Sequence, residues 1–260
     1  MKILMIGDVV GTQGVRVISE RLQAIRAKHQ IDFVIANVEN IAGGAGIHPD
    51  GVADLLAAGV DVMTSGNHAF DKKEILDVFG KEPRLLRPAN YPEGVPGTGF
   101  WLGEHPSGVS LLVLNLMGRH NMPRTDCQFR KADALLRDYS NRADVIVVDH
   151  HAEASSEKIA LGRYLDGRVS AVVGTHTHVT TADEQILPGG TAYMTDLGMT
   201  GSHAGVIGMA YDSVLERFLT GVNTRLRSAE GDVRLNGAII DVDTNSRQAR
   251  SIARLNLRHF

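Results

Sequence analysis

Two histidines in the stretch Val172-Val173-Gly174-Thr175-His176-Thr177-His178-Val179 are spaced to hold a metal ion. The apolar, β-branched run that stops at Gly174 reads as the end of a buried strand, and the histidines follow in the loop where it emerges. At i and i+2 of an extended segment two side chains point the same way, and neutral imidazole nitrogens are good donors to zinc, iron or manganese. The same rings at a strand end could equally bond to backbone. This stretch alone does not separate the two readings.

The elements that would position such a site can be read in chain order. A strand over Lys2 to Ile6 ends in Gly7-Asp8-Val9-Val10-Gly11, and the apolar spacing of Val15, Ile18, Leu22 and Ile25 predicts a helix over Gly14 to His29. Strand, glycine loop and helix invite a dinucleotide reading. The spacing of Gly7, Gly11 and Gly14 is not that fingerprint, and Asp8 would repel a pyrophosphate at the helix N-terminus. A second strand, Phe33 to Val38, leads to Glu39-Asn40 and the glycine-rich stretch Gly43 to Gly46. Pro49 to Ala58 reads as helix, Val60 to Thr64 as a strand ending in Gly66-Asn67-His68, and Asp71 to Phe79 as a polar helix. Loops and edge elements fill Pro83 to Gly99. A strand over Val109 to Leu116, a helix over Asp126 to Tyr139 and a strand over Asp144 to Val148 lead to Asp149-His150-His151. A helix over Ser155 to Tyr164 with a serine cap precedes the strand Val169 to Val173. Thr191 to Thr195, Val233 to Val242 and Arg247 to Leu257 alternate apolar and polar residues, with a turn at Asp243 to Ser246. The early chain is therefore βαβ and parallel and the late chain antiparallel. We expect one α/β domain over residues 1–260, with two packed sheets flanked by helices. The arginines at 247, 250, 254 and 258 read as the solvated face of the last strand, with phosphate contact as the lesser alternative.

Asp8, Glu39-Asn40, Asn67-His68, His151 and His176/His178 each follow an apolar strand, and open parallel sheets gather ligands at the carboxyl ends of their strands. Any one of these residues is an ordinary turn former. Together they supply more donors than one ion can use, and with Glu39 bridging they fit two metals roughly 3.5–4 Å apart, as in two-metal hydrolytic sites. Oxygen and imidazole donors without thiolate favour iron, manganese or magnesium, with zinc as an alternative.

Composition removes several function classes. A net charge of -3 gives no basic face for duplex DNA or an anionic membrane, and no run approaches membrane-spanning length. The single cysteine, Cys127, allows no internal disulfide and no thiolate cluster, and reads as a small buried or half-buried hydrophobe. A cytoplasmic location is expected.

Gly66-Asn67-His68, His151 and Gly174-Thr175-His176-Thr177-His178 resemble the later motifs of the calcineurin-like metallophosphoesterases. The early family pattern, Asp-x-His then Gly-Asp, departs here to Asp8-Val9-Val10 and Val38-Glu39-Asn40, so Asn40 would supply the donor missing at Val10 and Glu39 the bridge. With Asp149-His150-His151-Ala152-Glu153-Ala154 and Thr195-Asp196-Leu197-Gly198-Met199-Thr200-Gly201, that pattern is similar to the YmdB-type 2',3'-cyclic nucleotide phosphodiesterases along nearly the whole chain.

The resemblance implies a four-layer α/β/β/α sandwich of two mixed sheets. It gives one metal Asp8, Glu39, Asn40 and His178, and the other Glu39, Asn67, His151 and His176. Two divalent or trivalent ions per chain are expected, iron or manganese ahead of magnesium or zinc. They would hold a hydroxide that attacks the phosphodiester, with His68 as proton donor to the leaving oxygen; a ligand or capping role is the alternative for His68. The expected substrate is a small phosphate ester, a cyclic nucleotide such as 2',3'-cyclic AMP, and a homo-oligomer is expected. Two alternatives are a phosphomonoesterase or protein phosphatase, and a metal-binding signalling module with little turnover. His150 reads as a packed ring satisfying one hydrogen bond, and Asp149 either orients an imidazole or forms a turn. His29, His48, His105, His120, His203 and His259 show no strand-end placement and read as surface or packing residues.

Overall fold

In the computed structural model, which describes residues 1–258, the alternating runs assemble into two sheets. The first half of the chain supplies β1 (Lys2–Ile6), β2 (Asp8–Val9), α1 (Gly11–His29), β3 (Phe33–Asn37), α2 (Pro49–Ala58), β4 (Val62–Thr64) and α3 (Leu76–Phe79). Then come β5 (Phe100–Glu104), β6 (Ser110–Met117), α4 (Gln128–Tyr139), β7 (Val145–His151), α5 (Ser155–Leu165) and β8 (Ala171–Thr175). The chain closes with β9 (Gln185–Ile186), β10 (Ala192–Met194), β11 (Met199–Ser202), α6 (Tyr211–Thr220), β12 (Val233–Val242) and β13 (Ala249–Arg258).

One sheet runs β2-β11-β12-β1-β3-β4 with β13 added on β12, and the other runs β5-β6-β7-β8-β10-β9. Both are mixed: β1, β3 and β4 are parallel, as are β6, β7 and β8, whereas β12 is antiparallel to β1 and β5 to β6. Strand periodicity sorts the core into layers. Ile3, Met5, Phe33 and Ile35 face Leu111, Val113, Val145 and Val147 between the sheets. Leu4, Ile6 and Val34 pack under α1 and α2, and Leu112, Ile146 and Val172 under α4 and α5. This is the expected α/β/β/α sandwich. Buried on both faces, the central strands are apolar throughout, and each such side chain contributes about 1.5–3 kcal/mol by leaving water.

Several local expectations change. Helix α1 starts at Gly11 rather than Gly14, and Gly14 lies inside it because a Cβ there would come within 2.5 Å of the Thr200 carbonyl oxygen. The polar helix over 71–79 is a 3-10 turn at Lys73–Ile75 followed by the four-residue α3, since of its residues only Ile75 and Phe79 are buried, with Val78 half-buried beside them. Strand β7 continues through Asp149-His150-His151, which pair with Asn115, Leu116 and Met117 of β6. Ser155 is the first residue of α5, preceded by Ala154 as the cap residue, so no serine hydroxyl caps that helix. The edge strand β5, strand β11 and helix α6 were not expected. Arg250, Arg254 and Arg258 are solvated and paired with carboxylates, whereas Arg247 lies in the turn before β13. Cys127 is half-buried. His259 lies outside the described residues. Among the described residues no helix is long and apolar enough to cross a membrane.

Candidate metal centre

Past the apolar core between the sheets, the inward-facing positions turn polar. Asn37 of β3, Thr64 of β4, Asp149 of β7 and Thr175 of β8 form a fully buried layer. Asp149 is its hub. Its Oδ1 accepts the Thr175 hydroxyl at 2.7 Å, and its Oδ2 accepts Asn37 Nδ2 at 3.1 Å and the Thr64 hydroxyl. Burial pushes the Asp149 carboxyl above its ordinary range, against those hydrogen bonds and the charge on His151. The strand runs on through Asp149, so Asp149 forms no turn, and its side chain reaches His151 only by way of Thr175 and Asn37.

That layer fixes the ring above it. Thr175 spends its only hydroxyl proton on Asp149, so its oxygen accepts from His151 Nδ1 at 3.0 Å. The network thus assigns Nδ1–H to His151 and leaves Nε2 as the donor atom, a common arrangement behind metal-binding histidines. Nε2 lies 2.9 Å from Asn67 Oδ1, 3.0 Å from His176 Nδ1 and 3.2 Å from Glu39 Oε1. Glu39, His151 and His176 each offer a donor atom within 4.8 Å of the others. Gly66 permits this, because a Cβ there would meet the His151 ring at 2.0 Å.

Lone pairs crowded around one point need a proton or a cation among them. Burial disfavours both ions, yet the Glu39–His151 contact outweighs it, holding Glu39 down at about 2 and pushing His151 up to about 9. Burial and the charge on His151 press His176 down to about 3, so that ring is neutral and ready to ligate. Burial raises Asp8 to about 6, against the charges of His178 and His151. A cation must therefore displace a proton from His151 at any pH below about 9. Manganese affinity, measured by competition with a chelating dye, is expected to rise about tenfold per pH unit between 6 and 9 and to level off above. Below about 6 the slope should steepen as Asp8 also binds a proton. In the metal-free protein, the stability His151 contributes is full below its unfolded value of 6.5 and lost as pH rises through about 9.

The remaining expected residues stand around this group. Asp8, fully buried, accepts His176 N at 3.0 Å on Oδ2 and lies 3.7 Å from His151 Nδ1 through Oδ1. Asn40 donates from Nδ2 to the Gly44 carbonyl at 3.0 Å, and its backbone pairs with Val10. Asp8 Oδ1 and Asn40 Oδ1 are both buried with no hydrogen-bond partner among the described residues. Oxygens held that way fit a hard or borderline cation. His178 donates from Nδ1 to the Ile207 carbonyl at 3.1 Å, so Nε2 is the ring atom not committed to that contact. Asn40, His68 and His178 line the same cleft of about 640 Å³ as Glu39 and His176, outside the tight three-residue group.

The histidine loop is not extended. His176 and His178 have φ of 102° and 64°, in the region that L side chains rarely adopt, at a cost of order 1–3 kcal/mol each. The i, i+2 argument assumed an extended backbone that the structure does not have; the chain bends at the end of β8, and each ring is aimed by its own contact.

Three orienting residues went unnoticed in the sequence. Glu153 Oε2 is 3.0 Å from His176 Nε2, which leaves His176 Nδ1 to ligate. Asp71 Oδ2 accepts from His68 Nδ1 at 2.6 Å, and His68 N donates to Glu39 Oε2 at 2.9 Å. Thr175 is the third. Carboxylates two or three residues from a candidate site histidine, Glu153 after His151 and Asp71 after His68, are the available signal. His150 faces α5, opposite to His151. It is buried as expected, but neither ring nitrogen has a partner among the described residues, so the expected hydrogen bond is absent. Burial and the charges of Lys158 and His151 press it to about 3, keeping it a neutral filler. His105 and His203 do follow strands, β5 and β11, but His105 bonds to Ser107 and His203 to the Gly201 carbonyl and Asn236 instead of joining the group.

Known proteins are similar to this chain along its length. The family model described as YmdB-like protein matches residues 4–255. A 2',3'-cyclic-nucleotide 2'-phosphodiesterase of Bacillus subtilis is 47% identical over 98% of this chain and 96% of its own. Among solved structures, a hypothetical protein of Thermus thermophilus is 43% identical with a TM-score of 0.93, covering 99% of both chains. A novel phosphatase of Mycoplasma pneumoniae is 32% identical with a TM-score of 0.92, covering 99% of this chain and 93% of that one. The chain belongs to the YmdB-like proteins and is a phosphoric ester hydrolase of the metallophosphoesterase type.

Proposed function

We propose that residues 1–260 form a single domain that hydrolyses 2',3'-cyclic nucleotides, 2',3'-cyclic AMP among them, with two metal ions, iron or manganese, in the cleft. Asp8, Glu39, Asn40 and His178 would hold one ion, and Glu39, Asn67, His151 and His176 the other. The observation that carries this reading is the donor arrangement: lone pairs of Glu39, Asn67, His151 and His176 converge on one point, beside two buried, unpartnered oxygens of Asp8 and Asn40. Asn40, backbone-paired with Val10, stands where it can replace the missing donor.

Bound cations would lower the pKa of a water and offset the charge on the phosphate oxygens. The chain's own residues do the rest. Glu39, whose Oε2 accepts the His68 backbone N–H, would span both subsites. His68 has Nδ1 committed to Asp71, so Nε2 is the atom left to protonate the departing ribose oxygen. Ile207, Met209 and Leu226 give the cleft an apolar wall, which suits a nucleobase better than a charged peptide. A cytoplasmic homo-oligomer belongs to the same proposal, with the exposed apolar Tyr211, Phe218, Leu219 and Val222 as its contact surface.

At equal concentrations, 2',3'-cyclic AMP should be hydrolysed faster than 3',5'-cyclic AMP or a phosphoserine peptide. A steady-state assay of all three with manganese-loaded protein decides it. A phosphopeptide as best substrate would overturn this reading in favour of a phosphatase.

A further inference from the structure

Beneath the histidine loop lie two buried charges outside the donor set. Lys158 sits on the inner face of α5, one turn before Leu161 and two before Leu165, and is only 1% exposed. A lysine on that face needs partners. Its Nζ donates to Asp196 Oδ2 at 2.5 Å and to the Thr175 carbonyl at 2.7 Å. Asp196, fully buried, accepts Thr177 N on Oδ2 at 3.1 Å and Gly198 N on Oδ1 at 2.8 Å. From the other side, Asp8 accepts His176 N. Three successive backbone groups, Thr175 C=O, His176 N–H and Thr177 N–H, therefore each end on a buried charge. These peptide units carry His176 at φ 102° and lead into His178 at φ 64°. Such backbone persists only where the surroundings over-determine it.

We infer that Lys158 and Asp196 are the positioning pair of the metal-binding turn. They lock the backbone of residues 175–177 so that His176 and His178 reach their ions, and touch neither ion themselves. This rests on the reading of His176 and His178 as ligands. It also gives a role to Asp196, which lies in the family-like stretch Thr195 to Gly201 but outside the ligand set. An apolar pair of the same volume could fill the space, but it could neither donate to the Thr175 carbonyl nor accept the Thr177 N–H.

The test compares manganese affinity with thermal melting in metal-stripped native protein, Lys158→Met, Asp196→Asn and the double variant Lys158→Met/Asp196→Leu. Each single variant is expected to bind manganese about 10–100-fold more weakly, the usual effect of losing an outer support of a metal site. Lys158→Met should also melt earlier, because it strands the Asp196 charge. The double variant separates positioning from packing. Replacing a buried ion pair by apolar residues is often neutral for stability, so melting should return toward native while manganese affinity stays at least about 10-fold weak. Native-like affinity in the double variant overturns the inference. Should that variant not fold, native-like affinity in folded Asp196→Asn overturns it equally. Native protein that takes up no manganese overturns the metal reading and the pair's role with it, whereas native uptake with unchanged variants overturns the pair alone.

Discussion

Glu39→Gln is expected to leave the chain folded, to cut its metal content from about two ions to one or fewer, and to slow hydrolysis by about 10³-fold or more. The amide keeps the shape and one acceptor oxygen, so the hydrogen bond from His68 N to Oε2 can survive. The charge cannot. Glu39 is 1% exposed and is the leading partner that keeps His151 ionised in the metal-free protein. In the proposed site it is the single carboxylate shared by both ions, so its loss weakens both at once. Charge stabilisation by a metal in such a site is worth several kcal/mol, and each step of about 1.4 kcal/mol is tenfold in rate. Elemental analysis of native and variant protein after manganese loading, with the rate on 2',3'-cyclic AMP, checks both halves. Two ions retained by Glu39→Gln would show that the bridge lies elsewhere. A native value near one would remove the dinuclear arrangement.

What made this site legible was its topology. Asp8, Glu39 and Asn67 lie just past β1, β3 and β4 of one sheet, while His151 ends β7 and His176 follows β8 of the other, and parallel strands bring such ends together whatever the loops do. What was illegible depends on contacts distant in sequence. The partner of Lys158 is Asp196, 38 residues away, and Asp149 takes hydrogen bonds from Asn37 and Thr64, 112 and 85 residues away. A lysine three residues before Leu161 on the apolar face of α5 was a visible signal, since an unpaired buried ammonium is too costly to survive there. The bend at His176 and His178 could not be read at all, because nothing local favours positive φ in a histidine. Helix α6 escaped for a different reason. Phe218 and Leu219 are 81% and 77% exposed, so its apolar residues do not trace the buried stripe by which helices are recognised. Strand β11 was hidden by Thr200 and Gly201, which pack closely without an alternating pattern.

His68→Ala separates chemistry from binding. The variant should keep its full metal content and lose about 10²–10⁴-fold in rate on a ribose ester, the usual contribution of a positioned proton donor. His68 holds Glu39 only through its backbone N–H, which alanine retains, so the ligand group has no reason to move. The ring does something else: Asp71 fixes Nδ1 at 2.6 Å and aims the imidazole along the cleft wall. His176→Ala should behave in the opposite way and lose metal, because it removes a donor that lies 3.0 Å from His151 Nε2. The leaving group supplies a sharper control. A weakly basic phenolate departs with little help from a proton, whereas a ribose alkoxide cannot. Hydrolysis of a nitrophenyl phosphodiester by His68→Ala should therefore fall far less than hydrolysis of 2',3'-cyclic AMP. Asp71→Asn should show a weaker form of the same selectivity, since an amide still accepts from Nδ1 but holds the ring less firmly than a carboxylate does. Equal damage to both substrates, or a metal lost in His68→Ala, would make His68 a ligand or a structural cap instead of the acid.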